Sequence, residues 1–170
     1  MSEKDLKNIP LIDKINDKFD LSYLQFFRMV FADRFIPIVK EMKKALGEEK
    51  LTEMLKEACC KVAENKVRQL EIERDFDNFK GPIKSKDGFY QHTTTYEIVE
   101  DNPKVLEIKV NECLWANIFR EAGESEIGYA SLCHQDFIAA SAFNPKLKLI
   151  RDKTLMQGHD CCNHRWVLGE

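Results

Sequence analysis

Apolar residues recur at steps of three and four along the first part of the chain, and this spacing predicts two amphipathic helices. The first is expected to begin at Ser22, where Gln25 completes a capping-box pattern. It is expected to kink at Pro37 and to end at Gly47. The second helix is expected over residues 48–74. Because only Gly47 separates them, the two helices are predicted to pair as a hairpin.

The period of the apolar pattern falls to two from residue 92, which indicates strands rather than helices. Residues 92–100 and 104–110 alternate on either side of a turn at 101–103, and this arrangement predicts a β-hairpin. Residues 75–91 are rich in turn signals and are expected to be a connection. The elements predicted after the hairpin are helices over 113–121 and 124–143, a strand over 146–152, and a strand over 154–168 interrupted near Gly158.

This order of elements predicts an α+β fold, in which an N-terminal helical hairpin is followed by an antiparallel β-sheet with packed helices. The length of 170 residues suits one domain, which is expected over residues 19–170, preceded by an N-terminal arm over residues 1–18. An antiparallel sheet of this kind leaves an exposed edge, and such an edge is compatible with a homodimer.

Charge and composition narrow the classes of function. The net charge of −3 offers no basic face for nucleic acid. No apolar run approaches the roughly 20 residues that span a bilayer, and acidic residues stand among the first seven, where a signal peptide would be basic and then apolar. These features predict a cytoplasmic protein that binds a small molecule and neither nucleic acid nor membrane.

Chemically reactive side chains concentrate in the second half of the chain. Cys133 and Asp136 are three residues apart in a predicted helix and therefore share one face. The pleat of the last predicted strand places Asp160, Cys162 and His164 on one face. If the helix packs on the strand, these acid, thiol and imidazole groups converge. The cysteines include two pairs that are adjacent in sequence, and they are expected to be free thiols.

Two kinds of site fit these residues. A thiolate beside an imidazole is a nucleophile, and a partly buried carboxylate can act as a general base. A zinc site is the alternative, but its ligands would be divided between both faces of the strand, and the sequence has no Cys-x-x-Cys pair. We therefore predict no cofactor. The ligands of the zinc alternative would be His159, Cys161, Cys162 and His164, with Cys133 or His134.

A combined motif runs through the second half in four stretches. They are Gly128-Tyr-Ala-Ser-Leu-Cys-His-Gln-Asp136, Phe143-Asn-Pro145, Leu149-Ile-Arg-Asp-Lys-Thr-Leu-Met-Gln-Gly158 and His159-Asp-Cys-Cys-Asn-His-Arg-Trp166. Together they resemble the L-2-amino-thiazoline-4-carboxylic acid hydrolase family, and the likeness covers most of residues 20–168. The sequence departs from the family at Asn163 and His164, where Asp and Phe are more frequent.

The resemblance implies a hydrolase that opens a cyclic 2-amino-thiazoline carboxylate with water and gives a carbamoyl-cysteine. Attack by carboxylate-assisted water and attack by a cysteine thiolate both remain open, and Arg151 or Arg165 could bind the substrate carboxylate. The alternative is a small-molecule-binding or sensor domain without turnover, related to 4-vinyl reductase-type domains. The expected catalytic residues are Cys133, Asp136, Asp160 and Cys162, and the expected substrate-binding residues are Cys113, His134, Arg151 and His164.

Overall fold

The computed structural model describes residues 22–85 and 89–170, and the predicted arm over residues 1–18 lies outside them. Along these ranges a run of helices is followed by a pair of strands, then by further helices and a second pair of strands, and this α+β fold confirms the predicted fold class. The elements are α1 (Tyr23–Phe27), a π-helix (Arg28–Phe35), α2 (Ile36–Leu46), α3 (Glu48–Arg68), α4 (Phe76–Lys84), α5 (Phe89–Thr93), β1 (Thr94–Asp101), β2 (Val105–Cys113), α6 (Leu114–Glu121), α7 (Ser125–Gly128), a second π-helix (Tyr129–Cys133), α8 (Asp136–Phe143), β3 (Leu147–Ile150), a 3₁₀-helix (Leu155–Gln157) and β4 (Cys162–Leu168).

The N-terminal helices form the predicted hairpin, in which α2 packs against α3. The capping box is confirmed, because the backbone N–H of Gln25 donates to Ser22 Oγ at 3.2 Å and that of Ser22 donates to Gln25 Oε1 at 2.8 Å. Pro37 is the second residue of α2, and the helical backbone of Phe35 and Ile36 joins α2 directly to the preceding π-helix. The missing N–H of Pro37 therefore leaves a carbonyl of the preceding turn without its helical donor. The change from π-helix to α-helix lies at this point of the chain.

The second helix is shorter than the pattern predicts. It ends at Arg68 and not at Arg74, because the chain turns back there and the Arg74 side chain donates through Nη2 to the carbonyl of Arg68 at 2.8 Å. This contact satisfies one of the free carbonyls at the end of the helix.

The connection predicted over residues 75–91 is wrong, because its described part contains α4 and α5. The side chain of Asp75 caps α4 by accepting the backbone N–H of Asn78 at 2.7 Å. Phe76 is buried, and the ring of Phe79 packs edge-on against that of Trp166 at 5.6 Å. Burial of these rings outweighs the weak helix propensity of the glycine and proline that follow them.

Four antiparallel strands form one sheet in the order β1-β2-β4-β3. The predicted hairpin is confirmed as β1 and β2. Leu106, Ile108 and Val110 of β2 point into the core, where each is at most 1% exposed. In the register of β2 and β4, Ile108 lies opposite His164 and Val110 opposite Cys162. This register carries His164 and Cys162 toward the core face of the sheet.

The helix predicted over residues 124–143 is divided into α7, a π-helix and α8. The N–H of His134 donates to the carbonyl of Tyr129 at 2.9 Å, which is the wider turn of a π-helix. After this turn α8 begins at Asp136. The last predicted strand is also divided, because only residues 162–168 are extended as β4. No helix within the described ranges has the length and apolar character needed to cross a membrane.

Candidate active site

A cavity of about 310 Å³ lies between the core face of the sheet and the helices that cover it. This volume falls at the lower end of the roughly 300–1,000 Å³ that is usual for small-molecule sites. Much of its wall is aromatic or aliphatic, with Phe79 and Ile83 from α4 and Trp115 from α6. A group of polar side chains enters the wall from α8, from β4 and from the residue after β3.

Arg151 is the centre of this polar group. Its Nη1 donates to Asp136 Oδ2 at 2.6 Å and lies 3.1 Å from His164 Nε2. Its Nη2 donates to the backbone carbonyl of Cys133 at 2.8 Å, and its guanidinium lies over the ring of Phe137 at 5.0 Å. The Arg151 side chain is only 2% exposed, so its orientation is fixed by these contacts.

The carboxylate of Asp136 is more accessible than its partner. It stands in the first turn of α8, where the helix dipole favours a negative charge, and its side chain is 39% exposed. The contact with Arg151 uses Oδ2, so the carboxylate retains surface for a ligand in the cavity. Burial lowers the pKa of Arg151, but the adjacent Asp136 carboxylate outweighs it, and the net pKa lies above its ordinary value.

His164 is fixed in one tautomer by its contact with Arg151. A guanidinium can only donate, so Nε2 of the imidazole accepts the hydrogen bond and the proton of the neutral ring is on Nδ1. This Nδ1 is buried and has no partner among the described residues. The ring stacks on Trp166 with a centroid distance of 5.3 Å. His164 therefore supports Arg151 and forms part of the cavity wall.

Three cysteine thiols, Cys113, Cys133 and Cys162, also line the cavity. Burial raises the pKa of all three, and for Cys133 the Asp136 carboxylate adds to this effect. For Cys113 the N–H groups at the start of α6 work in the opposite direction, but burial prevails and raises its pKa to about 11. These thiols are therefore protonated at neutral pH. Cys162 Sγ also accepts the backbone N–H of Leu155 at 3.2 Å.

The structure brings most of the predicted site residues into one cavity. Cys133, Asp136 and Cys162 line it, and so do Cys113, Arg151 and His164.

The predicted convergence is wrong for Asp160. This residue lies before β4 begins, so the alternation of a strand does not apply to it, and its side chain pairs with Lys153 at the surface. His134 is not part of the cavity wall either, because its ring packs beside those of Tyr129 and Phe137. Burial lowers the pKa of His134. Arg165 pairs with Glu100 and Glu107 outside the cavity.

Part of the aromatic wall comes from α4 and α5, which lie in the stretch where the sequence predicts a connection. Phe79 and Tyr90 come from these helices, and both line the cavity. The three-residue step from Phe76 to Phe79 was the signal that could have revealed a helix there. Burial raises the pKa of Tyr90 well above its ordinary value, so its hydroxyl remains a hydrogen-bond donor.

The residues of the zinc alternative do not assemble into a metal site. Within residues 22–85 and 89–170, no group of three or more His, Cys, Asp or Glu side chains is placed to hold a metal ion. His159 Nδ1 instead contacts the backbone of Thr154 at 3.1 Å. The described cysteines are all free thiols.

The fold and the cavity define an α+β protein with an internal site large enough for a small molecule. The chain belongs to the L-2-amino-thiazoline-4-carboxylic acid hydrolase family, whose model matches residues 27–166. A search of curated proteins finds no match. Among solved structures, the chain is similar to a trafficking protein particle complex subunit 3 from Naegleria fowleri that is covalently bound to palmitic acid. The two are 14% identical with a TM-score of 0.48, and the alignment covers 86% of this chain and 95% of that chain.

Proposed function

We propose that this protein is a hydrolase that opens a cyclic 2-amino-thiazoline carboxylate to a carbamoyl-cysteine. Membership of the family supports the reaction type. The observation that carries the proposal is the accessible carboxylate of Asp136 in the wall of the cavity, held by the buried Arg151. A carboxylate in this setting can both bind an amidinium group and accept a proton from water.

The proposed reaction begins with water at the ring carbon that lies between the sulfur and the two nitrogens. As the oxygen of water bonds to this carbon, Asp136 accepts one proton from the water. The electron pair of the carbon–nitrogen double bond moves onto the ring nitrogen. The tetrahedral centre then collapses: its hydroxyl group becomes the carbamoyl C=O and gives its proton to the ring nitrogen, while the carbon–sulfur bond breaks and the electron pair of that bond leaves on the sulfur. The proton held by Asp136 passes to that sulfur. The product is N-carbamoyl-cysteine, which contains the atoms of the substrate and one water.

Attack by water is favoured over attack by a cysteine. The thiolate is the reactive form of a cysteine, and burial raises the pKa of Cys133, Cys113 and Cys162. Their thiolate fractions at neutral pH are therefore very small. The side chain of Asp136, by contrast, is 39% exposed, and its Oδ2 contacts Arg151 Nη1 at 2.6 Å.

Arg151 is proposed as a positioning residue. Its Nη1 and Nη2 already donate to protein oxygens, and its side chain is 2% exposed, so it has little surface left to grip a substrate carboxylate. It instead orients Asp136 and supplies positive charge beside the cavity. His164, which accepts from the same guanidinium, fixes Arg151 from the strand side.

The test is hydrolysis of 2-amino-thiazoline-4-carboxylate in ¹⁸O-labelled water by the purified chain. We expect N-carbamoyl-cysteine with one ¹⁸O in its carbamoyl group, detected by mass spectrometry. The label should already be present after a single turnover, because the oxygen that bonds to the ring carbon comes from water and not from a carboxylate of the protein. Absence of product contradicts the proposed function. Product that is unlabelled in a single turnover contradicts the role of water as the attacking group.

A second function, ligand binding without turnover, is favoured by one observation. The cavity wall carries protonated thiols and much apolar surface, which suits a binding or sensor domain. Both tryptophans of the chain line the cavity, so their fluorescence reports binding directly. A fluorescence change on addition of the cyclic acid, with no product formed, would support this second function.

A further inference from the structure

We propose that the substrate carries a compact apolar group, such as an aromatic ring, in addition to the cyclic amidine head. This inference rests on the proposed function, because it places the head at Asp136. It goes further in stating that an unsubstituted thiazoline carboxylate is not the best ligand of the cavity.

The first observation is the composition of the wall away from the polar group. Phe79 and Ile83 of α4, Val110 of β2 and Trp115 of α6 present apolar surface to the cavity. A small polar acid bound at Asp136 would leave much of this surface uncovered. Apolar surface that a ligand covers is removed from water, and this removal stabilises the complex.

The second observation concerns the side of α8 that bears Asp136. Ala139 and Ala140 follow Asp136 at steps of three and four, so the three residues share one helix face, and all three line the cavity. Their methyl groups are the smallest apolar side chains, so they leave space directly beside the carboxylate. The geometry therefore provides room for an apolar group attached to the head itself.

The third observation is size. A cavity of about 310 Å³ is near the lower limit of the usual range of small-molecule sites, so the apolar group must be compact. The aromatic walls also favour a ring, because rings pack against one another edge-on or offset. Phe79 and Trp166 already pack in this way at 5.6 Å.

The test compares three probes with the same head: 2-amino-thiazoline-4-carboxylate, its 5-phenyl derivative and its 5-hydroxymethyl derivative. Binding is followed by the fluorescence of Trp115 and Trp166, so the readout does not depend on turnover. We expect the phenyl derivative to bind at least about tenfold more tightly than the parent acid, and the hydroxymethyl derivative no more tightly than the parent. Equal affinities, or exclusion of the phenyl derivative, would overturn the proposal.

Two variants locate the effect. Ile83→Asn places an amide in the apolar wall and should remove most of the preference for phenyl over parent. Ile38→Asn is the matched control, because Ile38 is also helical, is 53% exposed and is not part of the cavity wall. An unchanged preference in folded Ile83→Asn would overturn the proposal. If thermal unfolding shows that Ile83→Asn does not fold, Ala139→Leu serves instead, and it should exclude the phenyl derivative.

Failure of this inference can be told apart from failure of the proposed function. Hydrolysis of the parent acid with no preference for the phenyl derivative overturns the inference alone. If the phenyl derivative binds tightly but neither it nor the parent acid is hydrolysed, the proposed function is overturned, while the preference for a compact apolar group is upheld.

Discussion

Two aspartates that the sequence marks as equivalent occupy opposite settings in the molecule. Asp136 pairs with Arg151 at 2.6 Å in the cavity wall, and that arginine is 2% exposed. Asp160 pairs with Lys153 at 3.1 Å at the surface, where the two side chains are 70% and 47% exposed. Both are carboxylate–cation pairs, so the difference in their chemistry comes from the environment and not from the residue types.

The segment between β3 and β4 explains this contrast, because it has an inner and an outer side. Thr154, Leu155 and Met156 are buried on the inner side. Lys153 and Asp160 are exposed on the outer side, where water screens their interaction. Asp160 therefore lies outside the cavity although it belongs to the motif in sequence. A residue of this segment can reach the cavity only from the inner side of the segment.

The largest expected effect separates the two aspartates by activity. Asp136→Asn removes the group that we propose accepts a proton from water, and we expect hydrolysis to slow by roughly 10²–10⁴-fold. Asp160→Asn is the matched control and should hydrolyse the cyclic acid at the wild-type rate. The comparison of kcat for the two variants is the measurement. Equal loss in both would show that the surface aspartate also belongs to the active site.

Arg151 and Lys153, the partners of the two aspartates, should contribute differently to the free energy of unfolding. Arg151→Met removes the partner of Asp136 and three polar contacts of a buried group. We expect a loss of about 2–4 kcal/mol in the free energy of unfolding, somewhat below the roughly 3–5 kcal/mol of fully buried pairs, because Asp136 is partly exposed. Lys153→Met should leave the free energy of unfolding unchanged. Urea unfolding of both variants makes the comparison, and equal stabilities would contradict it.

The fold class follows from the periodicity of apolar residues and from the order of the elements, and it is confirmed by the structure. The capping box at Ser22 and the β-hairpin follow from local rules, and both are present. Cys133 and Asp136 both line the cavity as their spacing predicts, although Cys133 ends the second π-helix and Asp136 begins α8.

The remaining features depend on tertiary contacts that no local rule records. The helix α4 forms despite Gly81 and Pro82, because its phenylalanines are buried by residues distant in sequence. Asp160 lies outside the cavity, because a 3₁₀-helix at 155–157 and the bend after it delay the strand until Cys162. The central role of Arg151 could be guessed only from resemblance, since its three partners lie 13 to 18 residues away.

A smaller effect on stability tests how tightly the inner side of the segment between β3 and β4 is packed. A Cβ on Gly128 would lie 2.5 Å from Met156 Sδ and 2.7 Å from the ring of Phe119, both of which are buried. Gly128→Ala should therefore lower the free energy of unfolding by about 1–2 kcal/mol, after the gain in helix propensity is subtracted. Gly81→Ala in α4 is the comparison, because a Cβ there meets nothing within 4 Å apart from its chain neighbours. Gly81 precedes Pro82, whose ring disfavours a Cβ on a helical residue before it, so we expect a loss that is smaller than that of Gly128→Ala. Urea unfolding of the two alanine variants measures both losses. If Gly128→Ala were as stable as the wild type, the inner side of this segment would be loosely packed.

The smallest expected effect concerns the thiol beside Asp136. Because burial raises the pKa of Cys133, a thiolate mechanism would gain about tenfold in rate for each pH unit from 7 to 9, whereas a carboxylate mechanism has a flat profile there. We expect the flat profile, and we expect Cys133→Ser to retain kcat within about tenfold, against the roughly 10²–10⁴-fold loss of a catalytic group. Cys59→Ser in α3 is the control, since this cysteine is not part of the cavity wall. A steep rise in wild-type kcat that disappears in Cys133→Ser would transfer the attack from water to the thiol, and Asp136 would then be its base.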